Sequence, residues 1–382
     1  MSAATQSRAE RVAWIVGAAG AVLLALAAWR DRTSAFQSYL YVWWFLLGLP
    51  LGSMMILMVH NLTGGDWGEL IRPSLEAALN LLPASLALAV PLLFGLPALY
   101  AWARSSDVAA NPLLRAKAWY LGTDFFLLRT AVIFAVWLAL AYLLRRWSAA
   151  RFLDAGAPDA RRLRATSAIG LLLYGVTVTV AAVDWIMSLT PQWYSTAFGL
   201  LVGVGQPLSA LALAIIVTVT TAANPRGRSP DLFQDLGKLL LMFVMTWTYL
   251  AYMQYLIVWA EDLPHEISWY LPRQQTDWRA VVWFLIVFHF ALPFLFLLSR
   301  RAKRSASALM AIAVMLLSAH FVDAFWLVVP SLRPAGFALV WSDLLAVLFM
   351  GGIFVALFLR RVDAWALDPG RADTQREVIV DG

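Results

Sequence analysis

His320 and Asp323 stand three residues apart inside an otherwise apolar run from about 307 to 329. At that spacing they share one helix face. A His beside a carboxylate exchanges protons near neutral pH, which is the chemistry of a proton relay or a quinol site. The plainer alternative is a satisfied polar contact between helices. Five more ionisable groups fall within apolar runs: Asp124, Arg129, Asp184, His289 and Asp343. A charge at membrane depth is costly, so each is a candidate by default. Asp124 and Arg129 are five residues apart and read best as structural ion-pair partners of other helices. Asp184 lies close to a helix end, where capping and proton handling weigh equally. His289 and His320 come out at nearly the same depth on consecutive helices. Two facing His could ligate a b-type haem, with two interhelical hydrogen bonds as the plainer reading.

These groups need helices to hold them. The chain has 382 residues, 62% hydrophobic and 14% charged, with mean hydropathy +0.72. Soluble domains are nearer half apolar and a quarter charged. Ten apolar runs are long enough to cross a bilayer, at about 12–29, 40–60, 77–101, 123–144, 166–187, 195–221, 236–259, 279–299, 307–329 and 338–360. The expected fold is all-α: a polytopic integral membrane protein with one membrane domain over 1–361 and a polar cytoplasmic tail over 362–382. The run at 12–29 is as long as a full span and is followed by no small-residue cleavage motif, so no cleavable signal peptide is expected. Roughly two thirds of the 29 Lys and Arg fall on the side that would carry both termini, which predicts a cytoplasmic location for both. The net charge of +6 sits in the loops and suggests no nucleic-acid partner. With no Cys, thiol chemistry and Cys-ligated iron–sulfur clusters are excluded. Gly64-Gly65 lacks the Lys of a phosphate loop, and no catalytic triad is spaced recognisably. On this reading, His60 and Glu76 are the titratable groups of the inner half. His60 is read as an interfacial or capping residue. Pro50, Pro83, Pro91, Pro97, Pro207 and Pro293 suggest kinks within spans.

Between the fifth and sixth runs lies DWIMSLTPQWYSTAFG, from Asp184 to Gly199. It has no Lys or Arg and places Trp185, Trp193 and Tyr194 around a Pro turn, as an outward hairpin should. Together with YVWWFLLGLPLGSMMILMVHNLTGGDWGELIRPSLEAALNLLP (41–83) and FVMTWTYLAYMQYLIVWAEDLPHEISWYL (243–271), it resembles the F subunits of alternative complex III. Those subunits are membrane relatives of the polysulfide-reductase-type (NrfD-type) anchors. The resemblance covers most of 40–360. It implies NrfD-like helical bundles in a bacterial inner membrane. It also implies a subunit of a respiratory quinol:cytochrome c oxidoreductase that binds no cofactor itself, although quinone or quinol can approach it. The implied partners are a second NrfD-like membrane subunit, an iron–sulfur subunit and c-type haem subunits. Asp184, His320, Asp323, Asp343, Asp124, His289 and Arg129 then become candidates for a proton path or a quinone-proximal site. The family's turn commonly carries a His after the Pro, where this chain has Gln192. The expectation is an outer half-channel, or a structural role, with the aromatic hairpin as a floor for peripheral subunits.

A second class also fits the composition: a stand-alone, proton-coupled secondary transporter. Such proteins bind solute at helix breaks near the midplane. Gly203-Val204-Gly205-Gln206-Pro207 is one candidate break.

Overall fold

The computed structural model describes residues 3–152, 156–221 and 229–366. Residues 222–228 and most of the polar tail, 367–382, lie outside the described residues; 362–366 continue the last helix. Lipid offers no partner for backbone N–H and C=O groups, so spanning segments must satisfy them internally. The described chain does so with helices and without strands. Ten are long and apolar enough to span: α1 (Gln6–Arg30), α2 (Arg32–Thr63), α3 (Asp66–Phe94), α4 (Pro112–Arg146), α5 (Pro158–Leu189), α6 (Phe198–Thr221), α7 (Pro230–Glu261), α8 (Arg279–Leu298), α9 (Ala306–Leu332) and α10 (Trp341–Val362). The protein is an all-α polytopic membrane protein.

Local chemistry sets the helix starts. Asp31 caps α2: its carboxylate accepts from the Ser34 amide at 3.0 Å and the Ser34 hydroxyl at 2.6 Å. These bonds hold the Asp31 carboxyl below its usual range. The third run differs from the sequence expectation of 77–101. Its helix begins at Asp66, bends at Asn80 and Leu81, and ends at Phe94. Asp66 and Glu69 sit in its first turn, where the helix dipole favours carboxylates. One face buries Leu70, Ile71 and Leu75, while Glu69, Arg72 and Glu76 lower its hydropathy and disguise it as a loop. Pro97 falls outside the span, in the short turn Leu96–Leu99.

The helices pack as two four-helix groups. In the first, α2 packs on α3 and α5, and α4 on α5 and the second half of α3; in the second, α6 packs on α7 and α9, and α8 on α7 and α9. The groups meet along α2 and α6, and α1 pairs chiefly with α10. Small residues allow the closest approaches. A Cβ at Gly52 would strike the Gln206 carbonyl, and one at Gly20 would lie 2.5 Å from the Phe349 amide nitrogen. The Gly203–Pro207 stretch is no break: α6 runs through it as continuous helix. The irregular turns lie elsewhere, as π-helix at Ile286–Ala291 in α8 and at Val347–Gly351 in α10. The first ends two residues before Pro293, whose missing N–H frees a carbonyl one turn back, within it.

Candidate functional site

The seven residues singled out from sequence do not form one group. Three separate places receive six of them, and Asp124 stands apart, exposed in the first turn of the helix Thr123–Arg146.

The first place joins α4 to α5. Arg129 Nε meets Asp184 Oδ2 at 2.6 Å and Arg129 Nη2 meets Oδ1 at 3.1 Å, a two-pronged pair. Asp184 is fully buried. Arg129 also donates to the Tyr120 carbonyl at 2.7 Å and lies over the Tyr120 ring, 3.9 Å from its centroid. Both oxygens of the Asp184 carboxylate are thus engaged by one guanidinium. Just beside it, Trp185 is buried against Trp43, Trp44, Phe134 and Trp137. Trp193 is buried against Trp269, with centroids 4.8 Å apart. Of the three hairpin aromatics, only Tyr194 is exposed, so Trp185 and Trp193 form core packing and no docking floor.

The second place fixes the start of α10. Asp343 accepts from Arg333 Nη1 at 3.0 Å and Nη2 at 3.1 Å, from the Ser38 hydroxyl at 2.6 Å and from the Val340 amide at 2.9 Å. Gln37 accepts from Arg333 Nε at 3.1 Å. Sequence reasoning missed Arg333. Its signal was positional: it is the lone cation in the short connection that precedes Asp343.

The third place is different in kind. His289 (α8), His320 and Asp323 (α9) are 0%, 9% and 1% exposed. His320 Nδ1 faces Asp323 Oδ2 at 3.5 Å, outside ordinary hydrogen-bond length, and neither atom has a hydrogen-bond partner. Both ring nitrogens of His289 also lack one. No Lys or Arg forms an ion pair with Asp323 among the described residues. The π-turn of α8 brings His289 against the Trp247 indole of α7, with ring centroids 4.0 Å apart, and 5.7 Å from the His320 ring.

A cavity of about 20 Å³ opens against this group where α2, α6 and α9 meet, lined by His320, Asp323, Gln206, Trp44, Phe45 and Gly48 among others. That is room for about one water molecule. Gln206 in turn accepts from the Tyr174 hydroxyl at 2.9 Å. Gly205 makes the crossing fit, since a Cβ there would lie 2.5 Å from His320 Cε1. The near-parallel His rings and the size of this cavity do not fit a haem between them. No group of three His, Cys, Asp or Glu gathers as a metal site among the described residues. Trp247, Gln206 and Tyr174 were not singled out as members of this site. Gln206 alone had a sequence signal, as an amide inside an apolar run.

Two further polar sites were hidden. On the termini side, Arg72 is 2% exposed and donates to His60 Nδ1 at 2.8 Å and Asn61 Oδ1 at 2.8 Å, with Glu69 and Glu76 at 3.3 and 3.4 Å. His60 closes the α2–α3 turn through the Gly65 carbonyl at 2.8 Å. The half nearer the termini is therefore richer in polar groups than His60 and Glu76 alone. On the other side, Arg273 is 1% exposed, stacks on Trp269 at 3.5 Å, and donates to the Trp269 and Leu327 carbonyls and the Ser331 hydroxyl. Burial lowers its pKa and pushes the neighbouring Tyr270 phenol up to about 12.

No family model matches the chain, and no curated protein does.

Proposed function

We propose that this protein is a proton-handling membrane subunit of a quinol-oxidising respiratory complex of the alternative complex III type, working in a bacterial inner membrane with both termini in the cytoplasm. The redox centres, c-type haems and iron–sulfur clusters, belong to partner subunits, beside a second NrfD-like membrane subunit. The observation that carries the reading is the buried His289–His320–Asp323 group beside a cavity of water size. Its members keep hydrogen-bonding capacity that the protein leaves unused. Buried polar groups are ordinarily satisfied, so such a concentration within a membrane bundle calls for a mobile partner. A proton arriving through a water in the cavity has His320 and Asp323 as successive acceptors, with Gln206, itself held by the Tyr174 hydroxyl, orienting the water. Three segment resemblances, at 41–83, 184–199 and 243–271, support the assignment to a quinol-linked complex. The transporter reading gains less, because 20 Å³ admits water and excludes any organic solute.

The test is native purification through a tag, with subunit identification, a redox difference spectrum and quinol oxidation coupled to proton release. The expected result is co-purification with haem c and iron–sulfur subunits. With Asp323→Asn, the complex should assemble and keep its spectrum while proton release per quinol falls severalfold. A protein that purifies alone, or an unchanged proton yield in the variant, defeats the proposal.

A further inference from the structure

We infer that the pocket between the bend of α3 and the ends of α4 and α10, on the face that carries the termini, holds the phosphate headgroup of an anionic phospholipid. The pocket measures about 400 Å³ and is lined by Arg145, Arg146, Arg361, Tyr142, Asn80 and Ser148, together with Glu76 and Ala77. Three guanidinium groups from two helices thus converge on one space. Arg145 and Arg146 end α4, and Arg361 lies near the end of α10. No described carboxylate forms an ion pair with any of the three. The pocket's one carboxylate, Glu76, is engaged by Arg72 at 3.4 Å and by the Ser148 hydroxyl at 2.8 Å. The space therefore carries an excess of positive charge, with Arg146 also donating to the Tyr142 hydroxyl at 3.3 Å. Asn80 Oδ1 is buried there without a hydrogen-bond partner. Its amide, turned over, presents an N–H₂ group to the same space.

Depth and surroundings select a lipid over a soluble phosphate. Tyr142 is 60% exposed and lies one turn before Arg146 on α4, the position of an interfacial aromatic. Toward the membrane from Tyr142 the exposed surface of α4 is apolar, with Ala139 and Ala135 exposed one and two turns away. A phosphodiester bound by the arginines can lay its acyl chains along that surface. Arg forms paired hydrogen bonds to phosphate oxygens, and basic pockets between spanning helices suit anionic headgroups. The bound lipid would link α10, and α1 with it, to the first four-helix group.

The experiment compares lipids on the purified full chain, or on its complex if it is isolated as one. Native mass spectrometry and thermal unfolding are recorded with phosphatidylglycerol, with phosphatidylcholine, and with millimolar inorganic phosphate. Retention of phosphatidylglycerol should exceed that of phosphatidylcholine about tenfold or more. Arg145→Gln combined with Arg361→Gln should abolish the preference. Arg11→Gln, which alters an exposed cation on the same face, should leave it intact. Equal retention of the two lipids by the wild-type chain overturns the proposal, even if the double variant fails to fold. So does protection by inorganic phosphate equal to that by phosphatidylglycerol, which would assign the pocket to a soluble anion.

Discussion

Asp184 and Asp323 are both buried carboxylates in the same protein, yet one is ion-paired to an arginine and the other is not. Asp184 is locked by a two-pronged guanidinium that also packs on Tyr120. Asp184→Ala leaves Arg129 desolvated without its partner, and breaking a buried pair this way costs about 3–5 kcal/mol. The thermal midpoint should fall sharply, whereas Arg129→Met combined with Asp184→Leu should recover most of the loss. A double variant no better than the single one would mean that the charges themselves are needed. Asp323 has no such lock, which makes it the residue where charge can change without tearing the fold. Its i, i+3 pairing with His320 was legible in the sequence because helical spacing alone sets it. His289 was legible as a group at matching depth, but its approach to Trp247 was not, because a π-turn rotates the register by an amount no periodic pattern encodes.

At the scale of the helix, the seam between α2 and α6 carries the packing and positions the site. Gly52 is its tight point, and Gly205 is the tight point where α6 crosses α9. They should respond differently to the same added methyl. Gly52→Ala meets a backbone carbonyl, which cannot move aside, so the variant should lose folded yield or drop steeply in midpoint. Gly205→Ala meets the far edge of the His320 ring, which can swing; this variant should fold and lose proton yield as Asp323→Asn does. If Gly205→Ala retained full activity, the position of His320 would be shown not to matter. All ten helices were legible from their apolar runs, since lipid imposes length and composition directly. The start of α3 was not, because its buried face is amphipathic and its Arg72 is satisfied by partners from α2. Arg333 was equally hard to read, since its partner is chosen by how the chain turns back before α10.

For the whole molecule, the charge distribution predicts which face meets the cytoplasm. The chain contains no Cys, so a single introduced thiol reports its own location without background. Ser106→Cys, exposed between α3 and α4, should react with an impermeant maleimide on intact spheroplasts. Ala149→Cys, exposed just beyond α4, should react only after permeabilisation. The reverse pattern would invert the topology and put the arginine pocket on the periplasmic face.

The pairing of α1 with α10 has a consequence for biogenesis. Gly17 and Gly20 on α1 are matched to Gly352 and the Phe349 backbone on α10, and α1 is otherwise mostly exposed. A ribosome delivers α1 to the insertion machinery long before α10 exists. Through that interval, its glycine-lined side has only lipid or a holding factor to face. Pulse-chase crosslinking from that side should capture lipid or an insertase during synthesis, and α10 only after it. A helix that enters the membrane ahead of eight intervening spans would thus be among the latest to find its permanent neighbour.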